Sequence, residues 1–127
     1  MRIIFDTSFI ITSVKGKIDF IHELEEHELV LPRQVVSELE RLAEDKRKKA
    51  KERELAKVSL MLISDFRNRF KEIELEKKFV DRGLELLARK MGKEIVIATL
   101  DKGLRKKLKG KCKFLIIVKR KKLEIVN

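Results

Sequence analysis

The chain has 127 residues; 42% are charged, and 32 Lys and Arg against 21 Asp and Glu give a formal net charge of +11. That length supports one hydrophobic core and is too short for two, so residues 1–127 are expected to form a single domain. With 43% hydrophobic residues wholesale disorder is excluded, and the lone Cys112 excludes an internal disulfide and any paired-cysteine metal or redox site.

The longest apolar run, Phe114 to Val118, is far shorter than the roughly 20 residues that span a bilayer. Asp6 breaks the apolar N-terminal stretch, so no membrane and no secretory leader are expected, and the cytoplasm is the expected compartment. A strongly positive balance on so small a domain favours a polyanionic partner such as nucleic acid.

In chain order, Arg2 to Phe5 reads as a short apolar strand that stops at Asp6. Phe9 to Val14 and Ile18 to Glu25 read as short helices; Ile18, Ile21 and Leu24 recur on one helical face. Leu29 to Leu31 is a second strand closed by Pro32, which suits the start of the next helix because its missing N–H costs nothing there. Val35, Val36, Leu39, Leu42 and Ala43 make that helix's buried stripe. The charge run from Asp45 to Glu54 predicts a solvated helical stretch, after which Leu55, Val58, Met61, Leu62 and Phe66 resume a buried face.

Glu72 to Leu75 reads as an edge-like third strand. Val80, Leu84, Leu87, Ala88 and Met91 stripe a helix that Gly92 stops. Glu94 to Ala98 is a fourth strand, Lys102 to Leu108 a short helix, Phe114 to Val118 a fifth strand and Leu123 to Val126 its hairpin partner. Strands that alternate with helices and run apolar without a polar alternate are covered on both faces. The expected fold class is therefore α/β: a three-layer α/β/α sandwich around a mostly parallel central sheet.

Nucleotide-binding loops are missing. Gly16-Lys17 lacks the upstream glycine and following hydroxyl of a phosphate loop, and no GxGxxG occurs. His22 and His27 are poorly spaced for one helical face and read as surface residues. The chemistry lies in the acids. Ligands of open parallel sheets sit beyond the carboxyl ends of the strands, where strand order reverses. Asp6 follows the first strand and Asp101 follows the fourth, so the two converge if those strands are neighbours. Glu38 and Asp81 lie on the apolar sides of their helices. Each has an ordinary role open to it: cap for Asp6 and Asp101, surface glutamate for Glu38, helix-start acid for Asp81. Gathered around one cleft they would repel each other, a conflict that a divalent cation removes; oxygen donors without His or Cys point to Mg²⁺ or Mn²⁺.

Four segments resemble the PIN-domain family of metal-dependent ribonucleases, which includes VapC-like toxin ribonucleases and small archaeal-type PIN proteins. They are Ile3-Ile4-Phe5-Asp6-Thr7-Ser8, Leu31-Pro32-Arg33-Gln34-Val35-Val36-Ser37-Glu38-Leu39, the helix from Asp81 to Ala88, and Thr99-Leu100-Asp101. Two positions depart from the pattern: Gly103 stands where some members carry a further acid, and Arg82 follows the third acid. Glu40 and Glu44 are neighbouring alternatives to Glu38.

The resemblance implies metal-assisted hydrolysis of RNA phosphodiester bonds. Asp6, Glu38, Asp81 and Asp101 would be the metal-holding catalytic acids, with Asp101 or Asp81 accepting a proton. Thr7, Ser8 and Thr99 would orient carboxylate or water. Residues 101–127 hold eleven Lys and Arg against two Asp and Glu, a net +9 of the chain's +11, so this stretch is the expected RNA contact. Arg82, Lys102, Arg105, Lys106 and Lys109 lie nearest the acids in sequence, and without Tyr or Trp they would act mainly on phosphates. The family also implies a homodimer and a small antitoxin partner, as for toxin-type nucleases. Ribosomal-RNA processing and a non-catalytic RNA-binding scaffold are the alternative roles. A phosphoacceptor receiver fold is excluded, because it needs an acidic pair where Phe5 and Thr7 flank Asp6.

Overall fold

Two buried central strands set the architecture. The computed structural model describes residues 1–127; in it β1 (Arg2–Phe5) lies beside β4 (Ile95–Ala98), paired in parallel from Arg2 opposite Ile95 to Phe5 opposite Ala98. All four β4 residues and Ile3, Ile4 and Phe5 of β1 are buried, as expected for strands covered on both faces. On one side follow β2 (Glu28–Pro32) and β3 (Phe70–Ile73), on the other β5 (Lys113–Val118) and β6 (Lys122–Val126), in the order β3-β2-β1-β4-β5-β6. β1 to β5 are parallel and β6 is antiparallel. The expected sandwich, with a mostly parallel sheet and a C-terminal hairpin, is borne out.

The connections from β1 to β3 carry α1 (Thr7–Lys15), α2 (Phe20–Glu23), α3 (Arg33–Glu44) and α4 (Ala50–Asp65). The chain then reverses across the sheet through α5 (Val80–Met91) and continues through α6 (Lys102–Lys107). Right-handed crossovers running in opposite directions place the two groups of helices on opposite faces. The reversal falls between β1 and β4, so the loops after these strands open the crevice. No helix is long and apolar enough to cross a membrane.

Several boundaries differ from the sequence reading, each for a local reason. α1 begins two residues early because the Asp6 carboxylate caps it through Thr7 N–H. α2 spans only Phe20–Glu23, started by the Asp19 side chain on His22 N–H. The charge run is not one continuous helix: α3 ends at Glu44, and the Asp45 carboxylate takes the Arg47 N–H and guanidinium, closing a turn before α4.

β3 lies two residues earlier than expected, because Phe70 packs edge-on against Phe5 with ring centroids 6.0 Å apart. Leu75 is buried but outside the sheet; Gln34 accepts its N–H and donates to its carbonyl in place of a strand neighbour. Gly92–Glu94 forms a short 3₁₀ turn, so β4 starts at Ile95. The stripe on α4 is corrected as well. Its fully buried residues are the small Ala56 and Ser59, which allow close helix packing, while Val58 and Met61 fall on the flank at 38% and 63% exposure.

Phe5, Phe9, Phe20 and Phe70 form one aromatic cluster around Phe5, the last residue of β1. Truncating such a buried ring costs about 3–5 kcal/mol. Phe5 directly precedes Asp6, so the same packing that stabilises the core fixes where the first acid emerges. The β5–β6 turn is strained: Arg120 and Lys121 have φ of 63° and 59°, a region that costs a side-chain-bearing residue about 1–2 kcal/mol.

Candidate active site

Asp6 leaves β1 with its N–H on the Ala98 carbonyl at 2.9 Å, the last rung joining β1 to β4. Its side chain is 6% exposed. Oδ1 accepts from Thr7 N–H at 2.8 Å; Oδ2 accepts from Thr99 Oγ1 at 2.6 Å and from Ser8 Oγ at 3.1 Å. Both hydroxyls are themselves acceptors: Ser8 Oγ from Leu100 N–H at 3.2 Å, Thr99 Oγ1 from Asp101 N–H at 3.1 Å. Ser8 and Thr99 therefore lace the loop after β1 to the loop after β4 and hold the Asp6 carboxylate between them. Three of its roughly four acceptor positions are filled, leaving room for one further partner. Thr7 contributes its backbone N–H; its buried hydroxyl lies near Glu38 but beyond the distance of a formed hydrogen bond.

Burial raises the Asp6 carboxyl above its ordinary value of 3.8, against the Thr99 and Ser8 hydroxyls, and the charge of Asp81 raises it further. Glu38, half-buried on α3, is raised above 4.5 first by burial and then by Asp6, with a smaller push from Asp81; the Thr7 hydroxyl and Arg41 act in the opposite direction. Asp6, Glu38 and Asp81 thus share one electrostatic field. Glu40 and Glu44, the neighbouring alternatives, are exposed.

Asp101 follows β4 and caps α6, its Oδ1 accepting from Gly103 N–H at 2.9 Å and Leu104 N–H at 3.2 Å. With Asp81 it lines a depression of about 520 Å³ that also includes Arg82, Glu85 and Lys107. Glu38 lines a second depression of about 290 Å³ with Arg41, Lys78 and Phe79. Asp81 and Asp101 thus share one depression, Glu38 lines another, and Asp6, buried between the loops after β1 and β4, lines neither. No three carboxylate, imidazole or thiol side chains stand at common ligand distance.

None of the four acids is in an ion pair, although Lys and Arg exceed Asp and Glu in this chain; the ion pairs engage Asp19, Glu28, Asp45, Glu72, Glu76 and Glu85 instead. An uncompensated, oxygen-only set at the mouth of a parallel sheet fits a hard divalent cation in donor chemistry and charge.

Of the basic residues singled out from the sequence, Arg82 lines the larger depression. Lys102, Lys106 and Lys109 are exposed around α6, and Arg105 is half-buried with its Nε enclosed and unbonded. Lys107, not singled out, lines it and lies 3.6 Å from Glu85; its position four residues after Gly103 on one helical face was the available signal. Arg41 was missed too, though it sits three residues after Glu38 on the same helix. Phe79 carried no signal at all: an isolated Phe before a helix reads as core, yet it is 66% exposed at the rim.

The chain belongs to the family of PIN-like domains, whose model it matches over residues 3–122. It is similar to Ribonuclease VapC4 of Methanocaldococcus jannaschii, 29% identical over 126 residues, 95% of this chain and 92% of that protein.

Proposed function

We propose that the protein is a metal-dependent endoribonuclease that hydrolyses RNA phosphodiester bonds, of the toxin type restrained by a small antitoxin protein. The observation that carries this reading is Asp6: buried, in no ion pair, held by two hydroxyls and repelled by its acidic neighbours. Buried acids with raised proton affinity in a cleft mark functional sites. The similarity to a ribonuclease over nearly the whole chain supports the reaction class.

Asp6, Glu38, Asp81 and Asp101 would hold Mg²⁺ or Mn²⁺, which when bound supplies Lewis acidity toward the phosphate and lowers the pKa of water. The chain's own side chains do the rest. Ser8 and Thr99 keep the Asp6 carboxylate in one orientation through hydrogen bonds that also order the loop bearing Asp101. Burial and Asp6 raise the affinity of Glu38 for a proton, which would suit it to take one from the attacking water.

Arg82 and Lys107 offer charge to the entering phosphate, with Lys102, Arg105, Lys106 and Lys109 extending the positive surface. The Phe79 ring gives an unpaired base a face to stack on. The exposed Val58 and Met61 of α4 supply apolar surface for a homodimer.

The test is incubation of labelled RNA with the protein and Mn²⁺ or Mg²⁺, then with EDTA. Cleavage with metal and none with EDTA is expected. RNA bound but uncut under every metal would leave a binding domain in place of a nuclease. Growth arrest on expression of the wild type, absent on expression of Asp6→Asn, tests the toxin role.

A further inference from the structure

The β5–β6 hairpin takes no part in the site described above, yet it issues from the same edge of the sheet. β5 runs parallel to β4 with Leu115 opposite Ala98, the last β4 residue, and continues to Val118. Three further residues at about 3.3 Å each carry its turn roughly 10 Å past the edge that bears Asp6 and Asp101. β5 lies two strands from β1, another roughly 10 Å sideways. At the tip, Lys119, Arg120, Lys121 and Lys122 are consecutive, exposed and free of ion pairs.

Arg120 and Lys121 occupy two successive positive-φ positions, where a hairpin favours Asn-Gly. Charge is thus kept at the tip at the expense of backbone ease, and strain of this kind clusters where a segment has a task. Four cations with no apolar residue between them match a regularly charged phosphate chain better than a mixed acidic peptide.

We infer that the β5–β6 hairpin tip is an arm that binds the phosphates of the RNA strand flanking the cleavage position. The identity of the strand rests on the nuclease reading; the binding itself is measured separately. The arm lies roughly 14 Å from the β1 edge, about four stacked nucleotides at 3.4 Å each, so a dinucleotide in the crevice does not reach it.

The full-length protein is titrated in EDTA with a labelled 20-nucleotide single-stranded RNA across salt concentrations, and with a dinucleotide by NMR. The variant joins Arg120→Asn to Lys121→Gly, which removes two charges and relieves the turn. Its melting temperature should not fall, affinity for the long RNA should drop about tenfold at 50 mM salt, and the salt slope should shrink by about 1.4, two contacts at about 0.7 each. Dinucleotide affinity should stay unchanged. A second variant, Lys119→Gln with Lys122→Gln, avoids the strained positions and should weaken long-RNA binding likewise.

Unchanged long-RNA binding in both variants overturns the arm, as does an equal loss for the dinucleotide. Displacement of RNA from the wild type by polyglutamate at equal charge concentration overturns it in favour of an acidic protein partner. Hairpin-dependent binding without cleavage in Mn²⁺ would sink the nuclease reading and keep the arm.

Discussion

Asp6→Asn separates the chemistry of the site from its architecture. Asn keeps the size of Asp and still accepts the Thr7 N–H that starts α1. Two opposing terms govern stability. The variant weakens the charge-assisted bonds from Thr99 and Ser8, and it removes a buried charge that Asp81 repels. Without metal, the variant should therefore melt within a few degrees of the wild type.

With metal the two should part. An ion at a hundredfold over its dissociation constant adds about 2.7 kcal/mol to the form that binds it, about 10 °C in melting temperature for a chain this long. Mn²⁺ should raise the wild type by that order and the variant by much less. Cleavage of labelled RNA should fall at least about a hundredfold, the scale on which electrostatic groups act at a reacting centre. The assay is cleavage with and without Mn²⁺ for both proteins, after circular dichroism shows both folded. Wild-type cleavage undiminished in EDTA, or full activity in Asp6→Asn, would refute the reasoning.

Three further outcomes follow from the same contacts. Thr99→Val keeps the shape but leaves Asp6 short of its nearest donor and the Asp101 N–H without its acceptor; denaturant unfolding should show a loss of about 1–3 kcal/mol, and a loss below about 0.5 would mean the lacing carries little. Gly83→Ala would set a Cβ 2.7 Å from the Leu75 Cβ, which the Gln34 clamp keeps in place; a cost of about 1–3 kcal/mol should outweigh the helix gain of about 1 kcal/mol, and a more stable variant would disprove that tight fit. For Glu38 the sign is fixed by its raised carboxyl: above 4.5 the folded chain binds more proton than the unfolded chain, so stability falls as pH rises through that interval. Glu38→Gln should thus gain on the wild type at pH 7 and lose that advantage as the pH falls below 4.5, as paired melting curves on either side of that value would show; a pH-independent gap would exclude the raised carboxyl.

The sequence by itself determined the element order, the parallel sheet and the positions of Asp6 and Asp101. Those follow from apolar runs too short for anything but buried strands, and from acids placed where such strands end. The resemblance of its segments to the PIN-domain pattern also marked Thr7, Ser8 and Thr99, of which the hydroxyls of Ser8 and Thr99 hold Asp6 and that of Thr7 does not. What needed the tertiary structure were features set by neighbours distant in the chain. Gln34 replaced a strand partner for Leu75, 41 residues away, and Phe70 moved β3 to reach Phe5. Close packing of Ala56 and Ser59 pushed Val58 and Met61 outward. Lys107 joined Asp81 and Asp101 because α6 lies beside α5, Phe79 joined Glu38 because the start of α5 lies beside α3, and the basic hairpin tip faces the same edge only because β5 runs parallel to β4 and outlasts it by three residues. Periodicity fixes which face of an element is apolar; which residues border a crevice depends on where the elements lie beside one another, and pairwise contacts across the fold decide that.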